Sequence, residues 1–425
     1  MLPGRNLLRE TRRIDVAGDV GGERVELLAP ELPILRADCD ARPGWACWNR
    51  GRGLRYTIGV EEEVMLLNPS AYSLVQSSES VLAGLSDELA THASLETHAS
   101  VIELRTGIHG DVAGAVAEIE WLRAQFAEEL GAMRLAAASA GTYPMACREE
   151  TRVSRGARYS LVSDSMRSLA RREPTLALHV HVGVPDPEDA IRVLNGLRAA
   201  LPPLLALSAN SPFSRGRDSG FASARTVIFQ GFPRTGAPRH FSCYDDYVEA
   251  VDALIATGAL PNPSFLWWDV RLQPALGTVE VRVMDAQSTL ADSAALIALI
   301  PSLARLELED GSAENAIAPE VLAENRFLAA RDGLDARLID PVARQLVPAR
   351  TQVDELVERC REHADAVGMI ELDRIGRLMH ANGAERQRVW AKDHGLAGVV
   401  SMLTQCFASS NRTSTAGRPS RAAVN

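Results

Sequence analysis

The stretch IGVEEEVMLL, residues 58–67, places three consecutive glutamates in the middle of a segment that is otherwise typical of a β-strand. Side chains alternate between the two faces of a strand, so Glu61 and Glu63 share one face. The opposite face carries aliphatic side chains, namely Ile58, Val60, Val64 and Leu66. Two carboxylates side by side repel each other unless a cation lies between them. The segment therefore predicts a strand with one apolar face and one acidic face that attracts a cation.

Two further segments repeat this placement of polar side chains two residues apart. TLALHVHVGV, residues 175–184, places His179 and His181 on one face, and LGTVEVRVMDA, residues 276–286, does the same for Glu280 and Arg282. A single pair could belong to a solvated sheet face. Three pairs, each opposite an aliphatic face, predict a shared polar surface that lines a cleft.

The rest of the chain predicts one large domain. Of its 425 residues, 46% are hydrophobic and 24% charged, as in a globular protein with a large core. Residues 1–54 show no sustained period and are predicted to be an N-terminal extension of unknown role, while residues 408–425 form a polar tail with predicted disorder. Residues 55–407 then form a single domain. Helical patterns cover residues 111–138, 186–200, 289–308 and 351–367. Short strand-turn-strand pairs, without steady alternation of strands and helices, predict an α+β fold with a mainly antiparallel sheet.

Charge and cysteine usage exclude several classes of protein. The formal net charge of -10 and the pI near 5.5 argue against nucleic acid and anionic membranes as partners. The most apolar stretch, Leu197 to Ala209, has 13 residues, fewer than the roughly 20 that cross a bilayer, and is predicted to be a buried helix. The six cysteines are dispersed and no secretion signal is evident. These features predict reduced thiols in a cytoplasmic protein.

The polar surface has the composition of a site for a hard divalent cation. Oxygen ligands with few nitrogens and no thiolates suit Mg²⁺ or Mn²⁺ better than a tetrahedral zinc site. Glu96 and Glu103 could join the cluster, but their odd separation places them on opposite faces of one straight strand. They would converge only if a turn intervenes between Thr97 and Ser100. Taken alone, Glu96 is predicted to be a surface residue.

Four arginines provide candidate partners for anions. Arg217 and Arg225 lie in SPFSRGRDSGFASART, which is predicted to be a loop, and Arg271 and Arg282 lie on predicted strands. A guanidinium offers two parallel donors to phosphate or carboxylate and keeps its charge when buried. Salt bridging to acidic neighbours is the simpler alternative. Dinucleotide, phosphate-loop and serine-hydrolase motifs (GxGxxG, GxxxxGK[ST] and GxSxG) do not occur.

Six segments, in order between about residues 56 and 400, resemble the carboxylate-amine ligase family, also called glutamate–cysteine ligase type 2, of the glutamine synthetase-like superfamily. They are IGVEEEVMLL, ELRTGIHGDVAGA, HVHVGVPDPEDAIRVLNGLRAALPPLLALSANSPF, GRDSGFAS, LWWDVRLQPALGTVEVRVMDAQSTL and ENRFLAARDGLDARLIDP. The resemblance implies a curved, mainly antiparallel sheet with helices on its outer face and with ATP and Mg²⁺ or Mn²⁺ on its concave face.

The reaction implied by this resemblance is the ATP-dependent joining of a carboxylate to an amine. The family activates a carboxylate, typically the γ-carboxylate of glutamate, as an acyl phosphate, and the amine displaces phosphate to form an amide. Cysteine is the expected amine. Ser214 and Ala224 stand where relatives usually carry aromatic side chains, so another amine stays open, as does an ATP-binding relative without turnover. A guanidino kinase-like phosphotransferase is disfavoured, because no reactive cysteine lies in a shared motif. A homodimer is compatible with the resemblance.

The resemblance also implies roles for individual residues. The metal ligands implied are Glu61, Glu63, Glu96, Glu103, His179 and Glu280. His181 lies nearer the nucleotide, and Arg282 is expected to face the transferred phosphoryl group, with Glu280 beside it in the catalytic pair. Arg217, Arg225 and Arg271 are implied to bind phosphate or the substrate carboxylate. Because water would hydrolyse an acyl phosphate, the loops that carry Arg217 and Arg225 are candidates for a lid.

Overall fold

The computed structural model describes residues 42–51, 55–146, 151–311 and 317–409. The strands are β1 Ile58–Leu67, β2 Ala93–Leu95, β3 Val101–Arg105, β4 Ala136–Ala138, β5 Leu178–Gly183, β6 Phe213–Ser214, β7 Arg217–Asp218, β8 Thr235–Gly236, β9 Trp267–Trp268, β10 Val270–Gln273, β11 Thr278–Val281, β12 Arg337–Asp340 and β13 Gln345–Pro348. The α-helices are α1 Ser78–Gly84, α2 Asp87–Ala90, α3 Val112–Ala132, α4 Ala157–Met166, α5 Pro187–Ser208, α6 Ala224–Phe229, α7 Tyr244–Ala256, α8 Leu290–Glu309, α9 Pro319–Asp332, α10 Ala349–Cys360, α11 Ala366–Asp373, α12 Ile375–His380 and α13 Gly383–Ala408. Most of the predicted extension 1–54 and of the predicted tail 408–425 lies outside the described residues, so the domain boundaries stay predictions.

The central element is a seven-stranded antiparallel sheet. Its order is β10-β11-β5-β1-β3-β2, and β4 pairs with β1. The sheet places β1, β5 and β11, the three strands with paired polar side chains, next to one another. The α+β class and the mainly antiparallel sheet are confirmed.

The apolar face of the sheet packs against helices. Ile58, Val60 and Val64 are at most 1% exposed and belong to the main core cluster, together with residues of α3, α5 and α8. Glu62 shares this apolar face and is fully buried. It forms an ion pair with Arg123 of α3, which donates through Nε at 2.7 Å and also through Nη2. A buried carboxylate in a core needs such a partner, and the sequence pattern did not predict it.

Two predicted helix ends are wrong. α3 begins after the predicted cap Asp111, whose side chain accepts from the Gly114 N–H, but it ends at Ala132 rather than at residue 138. Arg134 adopts φ +58°, and residues 136–138 pair with β1 instead. The helix that was predicted to end near residue 200 continues as α5 to Ser208, through two internal prolines. Burial of its apolar side chains outweighs the proline penalty of roughly 3 kcal/mol per residue.

Of the two later helical patterns, one is confirmed as a single helix and the other is not. The prediction for 289–308 is confirmed by α8, which Thr289 caps by accepting the Asp292 N–H. The pattern at 351–367 is not one helix, because α10 ends at Cys360 and a 3₁₀ turn, Arg361–His363, separates it from α11.

By length and composition α5 could cross a bilayer. Its apolar 18-residue window has a mean hydropathy of 1.3, yet 83% of that window is buried inside the protein. The core helix of a globular protein has these properties. This burial agrees with the prediction of a buried helix for the stretch around Pro202.

Residues 42–51, here called the strap, pack against one end of the sheet. Trp48 is 5% exposed, and its Nε1 donates a 2.8 Å hydrogen bond to the Val184 carbonyl oxygen, just beyond β5. The Asn49 N–H donates at 2.9 Å to a carbonyl of the β10–β11 turn. Gly277 in that turn adopts φ +66° and lies so close to the Asn49 carbonyl that a Cβ would clash. The strap thus holds the ends of β5, β10 and β11.

Trp48→Phe is expected to lower the free energy of unfolding by about 2 kcal/mol, because it leaves the buried Val184 carbonyl without its donor. Trp45→Phe is the matched control. Trp45 is only half-buried, and its Nε1 bonds Asp252 on α7 at 3.0 Å, so a loss below about 1 kcal/mol is expected. Chemical denaturation of the two full-length variants measures the difference. Equal losses would contradict the role assigned to Trp48.

Candidate active site

The polar face of the sheet brings together side chains that are far apart in the sequence. Backbone pairing places Glu61 opposite His179, Glu63 opposite Glu103, and His181 opposite Glu280. These six residues on β1, β3, β5 and β11 define the polar face. Glu61 contacts both imidazoles, at 3.2 Å from His179 Nδ1 and at 3.5 Å from His181 Nε2. The three pairs predicted from the sequence therefore line one surface.

Glu96 joins this surface through a turn. β2 pairs with β3 so that Ser94 lies opposite Glu103, and the chain reverses between Glu96 and Val101. This reversal is the turn that convergence required. Oxygen atoms of Glu63, Glu96 and Glu103 lie within 4.8 Å of one another. Two further groups of possible metal ligands share this distance: Glu61 with His181 and Glu280, and Glu61 with Glu103 and His179.

The carboxylates are crowded in a buried place. Burial and the charge of Glu96 raise the pKa of Glu63 to about 8. Burial, Glu61 and Glu96 raise the pKa of Glu103 well above its ordinary value. Glu61 behaves differently, because the positive charge of His181 and the hydrogen bond with His179 outweigh burial and lower its pKa. Neighbouring carboxylates with raised pKa values are protonated at neutral pH unless a cation binds between them.

The two histidines offer nitrogen ligands. Burial and the charge of Arg282 lower the pKa of His179 to about 4, so its imidazole is neutral, which is the form that binds metals. His181 Nδ1 bonds Thr278 Oγ1 at 3.0 Å. Within the described residues, Nε2 of His179 and Nε2 of His181 are buried without a hydrogen-bond partner. These orphaned atoms beside clustered carboxylates fit a hard divalent cation such as Mg²⁺ or Mn²⁺.

Glu280 is fully buried and holds two guanidinium groups at the site. Arg271 Nε donates to Oε2 at 2.7 Å, Gln273 Nε2 donates to the same oxygen at 2.7 Å, and Arg282 Nη1 donates to Oε1. Although burial raises it, the pKa of Glu280 is held well below its ordinary value by Arg271 and Arg282. Glu280 is therefore charged, with both oxygens occupied by donors.

Arg282 is the arginine best placed to meet an anion. Its Nη1 lies 3.3 Å from His179 Nδ1, and its Nε is buried without a hydrogen-bond partner in the described part of the chain. Burial lowers the pKa of Arg282, but Glu280 and Glu61 more than offset this and raise it above the ordinary value. Arg282 thus keeps its charge and retains a free donor at the polar face.

The other two predicted arginines lie elsewhere. Arg225 is not in a loop, because it belongs to the first turn of α6, and its guanidinium donates to the backbone carbonyls of Val283 at 3.1 Å and Arg282 at 3.0 Å. It is 6% exposed and supports the backbone of Arg282, so the loop predicted around it is wrong, and a lid there stays a prediction. Arg217 is exposed on β7. Phosphate binding by Arg217 and Arg225 stays a prediction.

Sequence reasoning missed two polar residues that complete the site. Gln273 lies two residues from Arg271 on the same strand, so the same alternation rule that paired Glu280 with Arg282 would have found it. Ser94 donates through Oγ to Glu103 at 3.0 Å. β2 has only three residues, too few for a recognisable strand pattern, and this is why Ser94 was not found.

The chain matches known proteins over most of its length. Residues 57–392 match glutamate-cysteine ligase family 2. The chain belongs to that family. It is 38% identical over 369 residues to "Putative glutamate--cysteine ligase 2-1" of Rubrobacter xylanophilus, covering 86% of this chain and 97% of the relative. It is 36% identical over 361 residues to "Putative glutamate--cysteine ligase 2" of Sorangium cellulosum, covering 83% of this chain and 96% of the relative. The resemblance seen in the ordered motifs is confirmed.

Solved structures of ligases share the fold of this family 2 chain. The glutamate–cysteine ligase of Francisella tularensis, in complex with AMP, superposes with a TM-score of 0.64 at 14% identity, covering 85% of this chain and 90% of that chain. A bifunctional glutathione synthetase of Pasteurella multocida gives a TM-score of 0.59 at 13% identity, covering 84% of this chain and 53% of that chain. At such low identity, the likeness concerns the fold alone.

Proposed function

We propose that this protein is an ATP-dependent ligase that joins the γ-carboxylate of glutamate to an amine, with cysteine as the first candidate and γ-glutamylcysteine as the product. One observation carries the proposal. Carboxylates and imidazoles from four strands meet on one buried surface, with two orphaned imidazole nitrogens and the free donor of Arg282. Membership of glutamate-cysteine ligase family 2 supports it.

The site would hold divalent cations on its carboxylates and one imidazole. The ligands proposed are Glu61, Glu63, Glu96, Glu103, His179 and Glu280. A triphosphate and a carboxylate repel each other, and bound Mg²⁺ or Mn²⁺ would neutralise the charge between them. The side chains themselves are largely buried and held by hydrogen bonds, so charges placed among them interact strongly.

The arginines act on the transferred phosphoryl group. The guanidinium of Arg282 would donate to the negative charge that develops as the bond to ADP breaks. Glu280 fixes the positions of both Arg282 and Arg271, because its two oxygens accept from both. His181 lies next to Glu280 and is proposed to contact the nucleotide. Arg217 and Arg225 are proposed to bind phosphate or the substrate carboxylate.

The reaction has two steps. An oxygen of the glutamate γ-carboxylate attacks the γ-phosphorus of ATP, and ADP leaves, so an acyl phosphate forms. The amine nitrogen then attacks the acyl carbon, phosphate leaves with the bonding electrons, and the nitrogen loses a proton as the amide forms. Water competes with the amine in the second step, which is why the site must exclude it.

The assay follows from both steps. Purified full-length protein is incubated with glutamate, ATP and Mg²⁺, with and without each amine of a panel that begins with cysteine. We expect ADP release that depends on an amine, and a γ-glutamyl amide by mass spectrometry. The control is the same mixture with excess EDTA, in which turnover is expected to fall by at least about a hundredfold.

Each alternative has its own signature in this assay. Detection of an amide formed with an amine other than cysteine would change only the identity of the amine substrate. A stable phosphorylated guanidino product would replace the ligase by a phosphotransferase. Mg²⁺-ATP binding without any product would favour a non-catalytic relative. Absence of amine-dependent turnover with every amine tested would contradict the proposal.

A further inference from the structure

The short helix α4 connects the two opposite edges of the central sheet. Tyr159 OH donates a 2.5 Å hydrogen bond to the Leu95 carbonyl at the end of β2, which is one edge strand. Its neighbour Arg158 donates through Nη1 to Ser264 Oγ at 2.7 Å. Ser264 lies in the 3₁₀ turn that leads into β9 and then into β10, the other edge strand. Consecutive Cα atoms are about 3.8 Å apart, so α4 must lie between the two edges.

Both anchor points of α4 adjoin residues of the candidate site. Burial and the charges of Glu96 and Glu103 raise the pKa of the Tyr159 hydroxyl, so this phenol lies beside the acidic end of the polar face. At the other end, the Ser264 carbonyl oxygen also accepts from Arg271 Nη1 at 3.2 Å. Arg271 in turn binds Glu280. The helix therefore spans the polar face from its Glu96 end to its Glu280 end.

The two ends of α4 are held with different strength. Val162 and Met166, in its second half, are each 3% exposed and belong to the main core cluster. The first turn is held at the β2 edge by the Tyr159 hydroxyl and at the opposite edge by Arg158, an exposed side chain whose guanidinium carbon lies 4.9 Å from the centroid of the Phe265 ring. An exposed contact of this kind contributes about 1 kcal/mol or less. The first turn can thus leave the Ser264 edge while the Tyr159 bond and the second half of the helix stay in place.

The backbone at both ends of α4 suits such a movement. Gly156, the residue before the helix, adopts φ +129°, and Arg167, the residue after it, adopts φ +55°. Positive φ values of this kind mark sharp changes of chain direction. The helix is therefore a separate short rod between two bends, and its first turn begins without a side-chain cap.

We propose that α4 is a gate over the polar face and that the contact between Arg158 and Ser264 is its latch. With the latch closed, α4 bars entry of a nucleotide and exit of an intermediate. With the latch open, its first turn swings away and the face becomes accessible. This inference rests on the proposed function in one respect, because it takes the nucleotide as the molecule that must pass.

Arg158→Ala opens the latch, and Arg155→Ala is the matched control. Both changes remove one exposed arginine of the same segment, and the backbone N–H of Arg155 keeps its bond to Glu79. Ser264→Ala is the second variant, since it removes the latch acceptor without changing the charge. Loss of positive charge alone would slow the binding of an anion, so a faster rate in Arg158→Ala cannot come from charge.

The first measurement is hydrogen–deuterium exchange of the full-length proteins without ligand. Arg158→Ala is expected to speed exchange of the α4 amides about fivefold and to leave β5 and β11 unchanged. Arg155→Ala should match the wild type. Ser264→Ala should change exchange in the same direction as Arg158→Ala. Unchanged exchange in both latch variants would overturn the latch.

The second measurement is the association rate of a fluorescent ATP analogue with Mg²⁺, by stopped flow. The gate predicts a rate about fivefold faster in Arg158→Ala and within twofold of wild type in Arg155→Ala. Faster exchange of α4 with an unchanged association rate would overturn the gate. If no protein in the series binds the analogue, the proposed function fails instead, and the exchange data alone decide whether Arg158 holds α4.

Discussion

Replacement of Glu280 by glutamine is expected to lower kcat of the ligase reaction by about a thousandfold. Glu280 accepts from Arg271 through both oxygens and from Arg282 through Oε1, whereas glutamine keeps one acceptor oxygen and presents an NH₂ donor to the remaining guanidinium N–H groups. Arg282 would then lose its orientation toward the phosphoryl group. The proposed set of metal ligands, of which Glu280 is a member, would also lose one carboxylate.

The same change should destabilise the protein by roughly 3 kcal/mol, since it leaves two buried guanidiniums short of negative charge. Glu62→Gln is the matched control for this effect. Glu62 is also fully buried and paired with an arginine, Arg123, but on the opposite face of the sheet. We expect a similar loss of unfolding free energy in Glu62→Gln, with kcat reduced less than about tenfold at a temperature where both variants are folded.

Steady-state kinetics and thermal unfolding of both variants separate the two effects. An equal loss of kcat in Glu62→Gln and Glu280→Gln would show that turnover follows stability, and would contradict a direct role for Glu280. A Glu280→Gln variant with wild-type kcat would contradict the arrangement proposed for Arg282.

Glu63→Gln is expected to stabilise the protein at pH 8 in the absence of Mg²⁺ and to lose most of this advantage in its presence. The pKa of Glu63 is about 8 in the metal-free folded protein, against an ordinary value of 4.5. The folded protein therefore holds a proton that the unfolded chain has lost, and stability falls as the pH rises from 4.5 to 8. By pH 8 this amounts to about 4 kcal/mol. Glutamine does not titrate, so Glu63→Gln should be more stable than wild type at pH 8 in EDTA.

In Mg²⁺ most of this advantage should disappear. A cation bound to the wild-type carboxylates stabilises the folded state by about 2.7 kcal/mol at one hundred times its Kd. Glu63→Gln lacks one of the proposed metal ligands, so Mg²⁺ should raise its free energy of unfolding far less. The Ala177 N–H, which donates to Glu63 at 2.7 Å, can still donate to the glutamine oxygen, so the local backbone is preserved.

Denaturation curves at pH 5 and pH 8, each in EDTA and in Mg²⁺, test this prediction. Glu188→Gln is the charge-matched control. Glu188 also accepts a backbone N–H, that of Tyr244 at 3.0 Å, but it is exposed and lies outside the site. Its unfolding free energy should respond to Mg²⁺ as the wild type does. Stability of Glu63→Gln below that of wild type in EDTA at pH 8 would contradict the proposed crowding of carboxylates.

Local sequence rules predicted the parts of the site that depend on strand alternation. The two-residue spacing placed Glu61 with Glu63, His179 with His181, and Glu280 with Arg282, and all three pairs line the polar face. Glu96 shows where the rule stopped. Glu96 approaches Glu103 because the chain reverses between them. From the odd spacing, this turn could be given only as a requirement and not predicted.

The helix boundaries and the ion pairs show the opposite case. From residue propensities, the helix after Asp186 was predicted to end near residue 200. In the structure, α5 continues through two prolines to Ser208 because its apolar side chains are buried in the core. The partner of Glu62 lies 61 residues away on α3, and no local pattern connects the two. Arg225 was predicted to lie in a loop and instead belongs to α6, where it supports the backbone of Arg282.

The sequence by itself determined which side chains share a face and, through its ordered motifs, which family the chain belongs to, because both depend on residues close together in the chain. Only the tertiary structure decided the neighbours of β1, the order of the strands and hence the meeting of Glu61, His179 and Glu280. It also decided that α4 links the two edges of the central sheet. Strand pairing and helix docking depend on the burial of surfaces from distant segments. A local sequence pattern does not specify which distant segment will pack against it.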